Sequence, residues 1–328
     1  MQVLIFGERE IDELLAMPDC IEVMHRLFST LDDANAVQPL RTIAWQPNRR
    51  GGVAVMPAYV GANDAIGAKV ITVFPENREA GLDSHQGVVT LHETGNGRLL
   101  AIFHAGAITA IRTAAVSAIA TRLLARADAG DLAILGSGTQ ARTHLQAMRA
   151  VRALRRVRVW SRTRQHARQF ADWAAKEIPC ADVRVCASAE EAVRGADLIC
   201  TVTAATQPIL AGEWIAPGTH VNAAGASVPG FRELDSDAVA QSRLFVDSRE
   251  SALSESDDVR KAIDEGRIDQ AHIAGDLAEV ASNRIAGRRD DRDITLFESC
   301  GMAIEDVAAA AYLYERFAKD PRPARFEF

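Results

Sequence analysis

The stretch Asp131-Leu132-Ala133-Ile134-Leu135-Gly136-Ser137-Gly138-Thr139-Gln140-Ala141 decides the fold. Its apolar run reads as a buried strand, and Gly-x-Gly-x-x-Ala turns that strand sharply into a helix, the arrangement that sets a dinucleotide pyrophosphate on a helix N-terminus. Gly136 permits the tight turn, Gly138 lets the backbone approach phosphates because no Cβ intervenes, and Ala141 allows close packing of helix on sheet. Gln140 and Thr139 open the helix. An amphipathic segment from Ala141 to Val151 follows, and a second strand, Val157-Arg158-Val159-Trp160, arrives about twenty residues later, as the motif requires. That strand ends in Trp160-Ser161-Arg162-Thr163-Arg164, with no carboxylate to accept a ribose 2′-hydroxyl. A guanidinium flanked by hydroxyls suits a 2′-phosphate, so Ser161, Arg162 and Thr163 favour NADP(H), with NAD(H) still possible. The plainer reading is a solvated basic turn, since Arg155, Arg156, Arg158, Arg164 and Arg168 crowd the same region.

The 328 residues, 48% hydrophobic and 25% charged, leave room for two domains with substantial cores. A net charge of −7 argues against nucleic acid as the main partner. No apolar run approaches the roughly 18 residues of a membrane span and the first residues lack a basic signal region, so a cytoplasmic protein without membrane partner is expected. Cys20, Cys180, Cys186, Cys200 and Cys300 are scattered without CxxC or His-paired spacing, which suits reduced, mostly buried thiols and no metal site.

Outward from the glycine turn, a short strand (Val3 to Phe6) opens the chain, and apolar residues from Ile11 to Leu31 recur at helical spacing, divided at Pro18-Asp19. Strand-like segments follow at Thr42 to Trp45, Val53 to Met56, Ala65 to Phe74, Gly87 to His92 and Leu99 to His104, separated by clusters such as Pro47 to Gly52. An antiparallel sheet is expected there. A long alanine-rich helix from about Ala107 to Ala127 leads into the glycine turn, and strand-helix alternation continues to about residue 250. The last helix, Ile304 to Phe317, must bury its apolar face, and the first domain is the expected place. The fold class is α/β: a central Rossmann domain over residues 119–299 and an α+β substrate and dimerisation domain over residues 1–118 and 300–328.

Two cations sit where charge is costly. Lys69 lies in Ile66-Gly67-Ala68-Lys69-Val70-Ile71, a strand apolar on both parities and so expected to be covered on both faces. An ammonium there meets an anion, loses its proton, reaches solvent along its stem, or pairs with an internal carboxylate. Arg112 projects from the apolar stripe of Ile108, Ala115, Val116 and Ile119 and needs a carboxylate or phosphate. With Arg41 they form a candidate anion clamp.

The chain resembles the ornithine cyclodeaminase/μ-crystallin family over essentially its whole length. The motifs are Val55-Met56-Pro57-Ala58-Tyr59, Gly67-Ala68-Lys69-Val70, Ser84-His85-Gln86-Gly87, Thr109-Ala110-Ile111-Arg112-Thr113-Ala114-Ala115, the glycine turn, and Phe297-Glu298-Ser299-Cys300-Gly301-Met302-Ala303-Ile304-Glu305-Asp306. The resemblance implies a homodimer. It implies that Arg41, Lys69 and Arg112 hold the α-carboxylate of an imino or amino acid, and that Ser84, Arg112, Thr139, Gln140, Thr203, Asn222, Ala223, Ala224 and Gly225 serve the cofactor. Thr201 is an alternative to Thr203. Gly301 either presents its N–H to a ligand or ends a turn.

Departures from the family pattern narrow the chemistry. Cyclodeaminases carry an aspartate in Gly-Asp-Cys-Pro-Gly, whereas this chain has Ser227 in Gly225-Ala226-Ser227-Val228-Pro229-Gly230, and a hydroxyl cannot replace a carboxylate as base. Val53-Ala54-Val55 also offers no acid for a distal amine. The pattern resembles the reductase branch, which uses NAD(P)H to reduce cyclic ketimines such as Δ1-pyrroline-2-carboxylate and Δ1-piperideine-2-carboxylate. Ornithine or lysine cyclodeamination, alanine dehydrogenation and ligand storage are the alternatives. Lys69 is the candidate proton donor or a cationic clamp, Ser227 a hydrogen-bond donor to the imine or a loop hydroxyl, and His85 a relay or a structural residue.

Overall fold

The computed structural model describes residues 2–32, 36–48, 50–74, 76–77 and 81–327. Along the chain run β1 (Gln2–Phe6), α1 (Glu8–Leu14), α2 (Met17–Thr30), β2 (Ala36–Val37), β3 (Thr42–Trp45), β4 (Gly52–Val60), β5 (Ala65–Val73), β6 (His85–His92), β7 (Leu99–His104) and α3 (Ala105–Leu124). The central part adds β8 (Asp131–Leu135), α4 (Thr139–Val151), β9 (Arg156–Trp160), α5 (Arg164–Glu177), β10 (Asp182–Val185), α6 (Ala189–Val193), β11 (Leu198–Thr201), β12 (His220–Ala223) and α7 (Ser236–Ala240). It continues through β13 (Arg243–Val246), α8 (Arg249–Glu255), α9 (Asp257–Asp264), β14 (Ile273–Asp276), α10 (Leu277–Ala281) and β15 (Thr295–Glu298), and the chain closes with α11 (Ala303–Phe317) and β16 (Ala324–Glu327). Contacts divide it into one unit of residues 1–112 with 302–328 and another of residues 113–301.

The first unit is built on a sheet ordered β16-β1-β7-β6-β5-β4-β2, with β3 also paired to β4. It is antiparallel except that β1 runs parallel to β7, a departure from the all-antiparallel expectation. The first two helices break at Leu15-Ala16, and Pro18 sits inside the first turn of α2, where its missing N–H costs nothing; it does not divide them. Arg49, in the expected turn at Pro47 to Gly52, lies outside the described residues. The last helix, α11, does return to this unit, packing on β4, β5, β6 and α2 and burying Ile304, Val307, Ala308, Ala311 and Leu313. A Cβ on Gly67 would stand 3.1 Å from Val307 Cγ2, so β5 and α11 approach closely on the face that carries Lys69. The opposite face is open within the chain. Val55, Val70 and Val88 align across β4, β5 and β6 there, with Val55, Ile66, Val88 and Ile5 exposed, so only one of the two faces expected to be covered is covered by this chain itself.

The second unit is a parallel sheet ordered β10-β9-β8-β11-β12-β15-β13-β14. Its first five strands follow the 3-2-1-4-5 order of a dinucleotide-binding sheet, which reverses direction between β8 and β11. β8, β11 and β12 are buried along almost their whole length, as strands covered on both faces must be. Alternation continues to Glu298, well past the expected residue 250. α3 is long and apolar enough to cross a membrane, but 83% of its apolar window is buried, so its composition serves a core.

Candidate active site

Lys69 and Arg112 come together in the first unit, both 3% exposed. Register places Lys69 at the centre of β5, opposite Met56 on β4 and Val89 on β6. Its ammonium lies 3.3 and 3.2 Å from the two Asp306 oxygens. Arg112 donates through Nε to Asp306 at 3.1 Å and through Nη1 to Glu305. Glu305 and Asp306 are fully buried in the first turn of α11, where the helix dipole favours anions, and the Ile304 N–H beside them is taken by Gln38 Oε1 at 2.9 Å. Burial lowers the Lys69 pKa to about 8. Asp306 opposes the fall, while Arg112 and the half-buried Arg41 add to it. The three expected cations are therefore close enough to sense one another.

Glu305 and Asp306 change the character of the clamp. Two buried cations are already matched by two buried carboxylates, so charge on Lys69 and Arg112 persists without a ligand, where a purely cationic cluster would expel a proton. Sequence reasoning quoted both acids inside a motif and gave neither a role. The signal was there: adjacent acids at the head of a stretch otherwise made of Ile, Val and Ala.

In the second unit the glycine turn has the anticipated geometry. Gly136 adopts φ +129°, and a Cβ there would meet the Val202 carbonyl oxygen at 2.7 Å. Gly138 has open space where a Cβ would be, and as N-cap of α4 it receives no side-chain cap and no acidic residue in the first turn. Donor N–H groups of α4 therefore remain for an anion, which fits a dinucleotide pyrophosphate. Ser137 Oγ donates to Ser161 Oγ at 3.0 Å, tying the turn to the end of β9, where Arg162 and Thr163 are exposed.

Other expected contacts are placed less simply. The Asn222 side chain is fully buried and donates to Thr121 Oγ1 at 2.9 Å, with its oxygen 3.2 Å from His220 Nε2, so its amide belongs to the core. Ala223 is buried, Ala224 and Gly225 half-buried. Thr203 gives both its N–H and its hydroxyl to Glu233 at 2.6 Å, and Thr201 is fully buried. Gly301 sits at φ +79° and donates its N–H to Asp247 at 2.6 Å, which makes it a turn residue. Ser227 is half-buried in the loop after β12. In the first unit Ser84 is half-buried, its hydroxyl 3.0 Å from Nδ1 of the exposed His85. Residues 1–112 with 302–328 thus hold the cation cluster, and residues 113–301 the glycine turn.

Comparison with known proteins agrees with this geometry. The ketimine reductase mu-crystallin of Mus musculus is 44% identical over 291 residues, 89% of this chain and 88% of that protein. A structure of Thermococcus litoralis Δ1-pyrroline-2-carboxylate reductase in complex with NADH and L-proline superposes with a TM-score of 0.95 at 36% identity, over 98% of this chain and 99% of the other. An archaeal alanine dehydrogenase dimer with bound NAD gives 0.93 at 29% identity over the full length of both. The model of the ornithine cyclodeaminase/mu-crystallin family matches residues 2–320, and with a conserved glycine turn, cation cluster and fold throughout, the chain belongs to that family.

Proposed function

We propose that this protein reduces a cyclic ketimine carboxylate, Δ1-pyrroline-2-carboxylate or Δ1-piperideine-2-carboxylate, to the cyclic amino acid with a nicotinamide dinucleotide. The observation that carries the reading is Lys69, a buried ammonium with its pKa brought to about 8 and held beside Arg112. Reduction of C=N needs one hydride at carbon and one proton at nitrogen, and a donor that titrates near neutral pH suits the second task. A bound nicotinamide supplies the hydride. Arg41 and Arg112 hold the substrate carboxylate, which fixes the imine carbon and its face. Lys69 delivers the proton to nitrogen, and Ser227 donates a hydrogen bond at the imine.

The structures with NADH and NAD bound belong to relatives, and for this chain the absence of an acid after β9, with Arg162 between Ser161 and Thr163, supports a preference for NADP(H). The relative named as an alanine dehydrogenase dimer and the open apolar face of β4, β5 and β6 together support a homodimer of this chain, because an antiparallel sheet that faces water alternates apolar with polar residues and this one does not. A cytoplasmic location accords with buried thiols at Cys20, Cys186, Cys200 and Cys300. The deciding experiment mixes the protein with NADPH and Δ1-pyrroline-2-carboxylate and follows cofactor oxidation. Turnover supports the reductase; ammonia release from ornithine without added cofactor, or cofactor oxidation only with pyruvate and ammonia, replaces it with a cyclodeaminase or an alanine dehydrogenase.

A further inference from the structure

Beneath the loops that follow β11 and β12 lies a group of buried carboxyls that the proposed reaction does not use. Glu233 is fully buried; its Oε1 accepts from the Thr203 N–H and hydroxyl, both at 2.6 Å, and its Oε2 accepts from the Gly225 N–H at 2.9 Å. A Cβ on Gly225 would stand 2.4 Å from the Glu233 Cδ and 2.3 Å from the Thr203 carbonyl oxygen, so carboxylate and both loops fill one space. Asp258, also fully buried, accepts the Glu233 and Leu234 N–H groups on Oδ1 at 2.8 and 2.9 Å. Glu298, 1% exposed at the end of β15, accepts the Ser256 hydroxyl on Oε1 at 2.6 Å. The remaining oxygens, Asp258 Oδ2 and Glu298 Oε2, are buried with no hydrogen-bond partner. No group of three acidic, His or Cys side chains among the described residues has the geometry to hold a metal ion, so the cluster must manage its own charge.

We propose that Glu233 is a positioning residue for the dinucleotide, acting through the backbones of Thr203 and Gly225 to fix the two loops at the carboxyl ends of β11 and β12. Ligands of open parallel sheets bind outside those strand ends, beside the reversal of strand order. The inference rests on the reading that residues 113–301 hold a nicotinamide dinucleotide. Three donors on two oxygens favour the ionised form of Glu233. Its charge then disfavours a second one nearby: burial and Glu233 raise Asp258 to about 8 against the weaker pull of Arg232, and burial, Asp258, Glu233 and Asp247 raise Glu298 further. At neutral pH the unpartnered oxygens of Asp258 and Glu298 therefore carry protons. Asp257 lies outside this set, bonded to Arg260 and the Gly230 N–H. When Asp258 ionises, it repels Glu233 and loosens the anchor of both loops.

The test titrates the full-length protein with NADPH, without imine substrate, across about pH 6.5 to 9.5, reading cofactor fluorescence. Wild type binds with constant affinity at neutral pH and more weakly above about pH 8. Glu233→Gln must turn an amide NH2 towards either the Thr203 or the Gly225 donor, and the expected rise in Kd is roughly tenfold or more. Asp258→Asn mimics the neutral acid; it keeps Kd at pH 7 within about twofold of wild type and loses the alkaline weakening. Binding that Glu233→Gln leaves intact, or an Asp258→Asn variant that weakens at high pH as wild type does, overturns the proposal while leaving the dinucleotide reading in place. Failure of the unaltered protein to bind NADPH or NADH overturns both.

Discussion

Asp306→Asn removes the anion that keeps Lys69 charged, and the alkaline limb of kcat/KM reports the change. The Lys69 ammonium lies 3.2 and 3.3 Å from the Asp306 oxygens, and Asp306 is the largest influence opposing the effect of burial. At an effective dielectric constant of about 20, unit charges at that separation attract by roughly 5 kcal/mol. At about 1.4 kcal/mol per pKa unit, the upper bound on the shift is between 3 and 4 units. Asparagine still offers an oxygen to the ammonium, and a released side chain relaxes, so the expected fall is smaller, about 1 to 2 units. The sign is unambiguous. Lys69 is protonated below its present pKa of about 8, so the rate that depends on its proton is constant at lower pH and falls above that value. In Asp306→Asn the break moves down to about 6 to 7, and Arg112, which cannot shed its own proton, keeps pushing in the same direction. Initial rates of NADPH oxidation with Δ1-pyrroline-2-carboxylate, measured from about pH 5 to about pH 10 at subsaturating substrate, give the profile. A break that stays at its wild-type position or moves up refutes the assignment of Lys69 as the titrating group governed by Asp306.

Arg162→Ala raises KM for NADPH by roughly tenfold to a hundredfold through loss of charge-assisted hydrogen bonds and leaves KM for NADH within about twofold; equal effects on both cofactors in steady-state assays contradict the 2′-phosphate role. Val70→Glu places a charge on the open apolar face of the first unit, opposite Val55 and Val88, and converts a dimer into monomers by analytical ultracentrifugation, while an unchanged sedimentation coefficient shows that this face is not the contact. Ser227→Ala lowers kcat about fivefold to tenfold, the worth of one hydrogen bond at the imine, and an unaltered kcat assigns Ser227 to the loop alone. The raised pKa of Asp258 predicts that stability declines as pH rises from about 4 towards about 8, since the folded state binds the proton that the unfolded chain releases; Asp258→Asn removes that slope from thermal melts.

The glycine turn was legible because every requirement it meets is local. A strand, a φ that only glycine tolerates and a helix start lie within eleven consecutive residues, from Asp131 to Ala141. Lys69 and Arg112 were legible for another reason, as charges standing in apolar patterns. Their partners were not, because Asp306 lies 237 residues from Lys69 and 194 from Arg112, and an acid in the first turn of a helix is ordinary on its own. Glu233, Asp258 and Glu298 escaped notice for the same reason: Arg232-Glu233 and Asp257-Asp258 read as solvated surface, and only the convergence of β12, β15 and α9 buries them. The strand β16 was missed because its four residues, Ala324-Arg325-Phe326-Glu327, carry no periodic apolar signal, and their pairing with β1 is a purely tertiary fact.

What the sequence presented as an anion clamp is a balanced quartet, and the balance explains how one site performs two tasks. Holding a carboxylate needs fixed positive charge, whereas giving up a proton needs a cation whose charge is marginal, and these demands conflict if placed on one type of side chain. Arginine keeps its proton in any protein environment, so Arg112, fixed by Glu305 and Asp306, serves the first. Lysine responds to burial, so Lys69 serves the second, with Asp306 setting how far the response goes. Exchanging the two residue types should then cost more than removing charge from either position: Lys69→Arg retains the positive charge and the Asp306 partner but no proton that can be released, and it leaves substrate binding largely intact while kcat falls by about 100-fold or more, within the usual worth of a positioned acid. Equal losses in KM and kcat would mean that Lys69 is a clamp and that the imine nitrogen takes its proton from elsewhere.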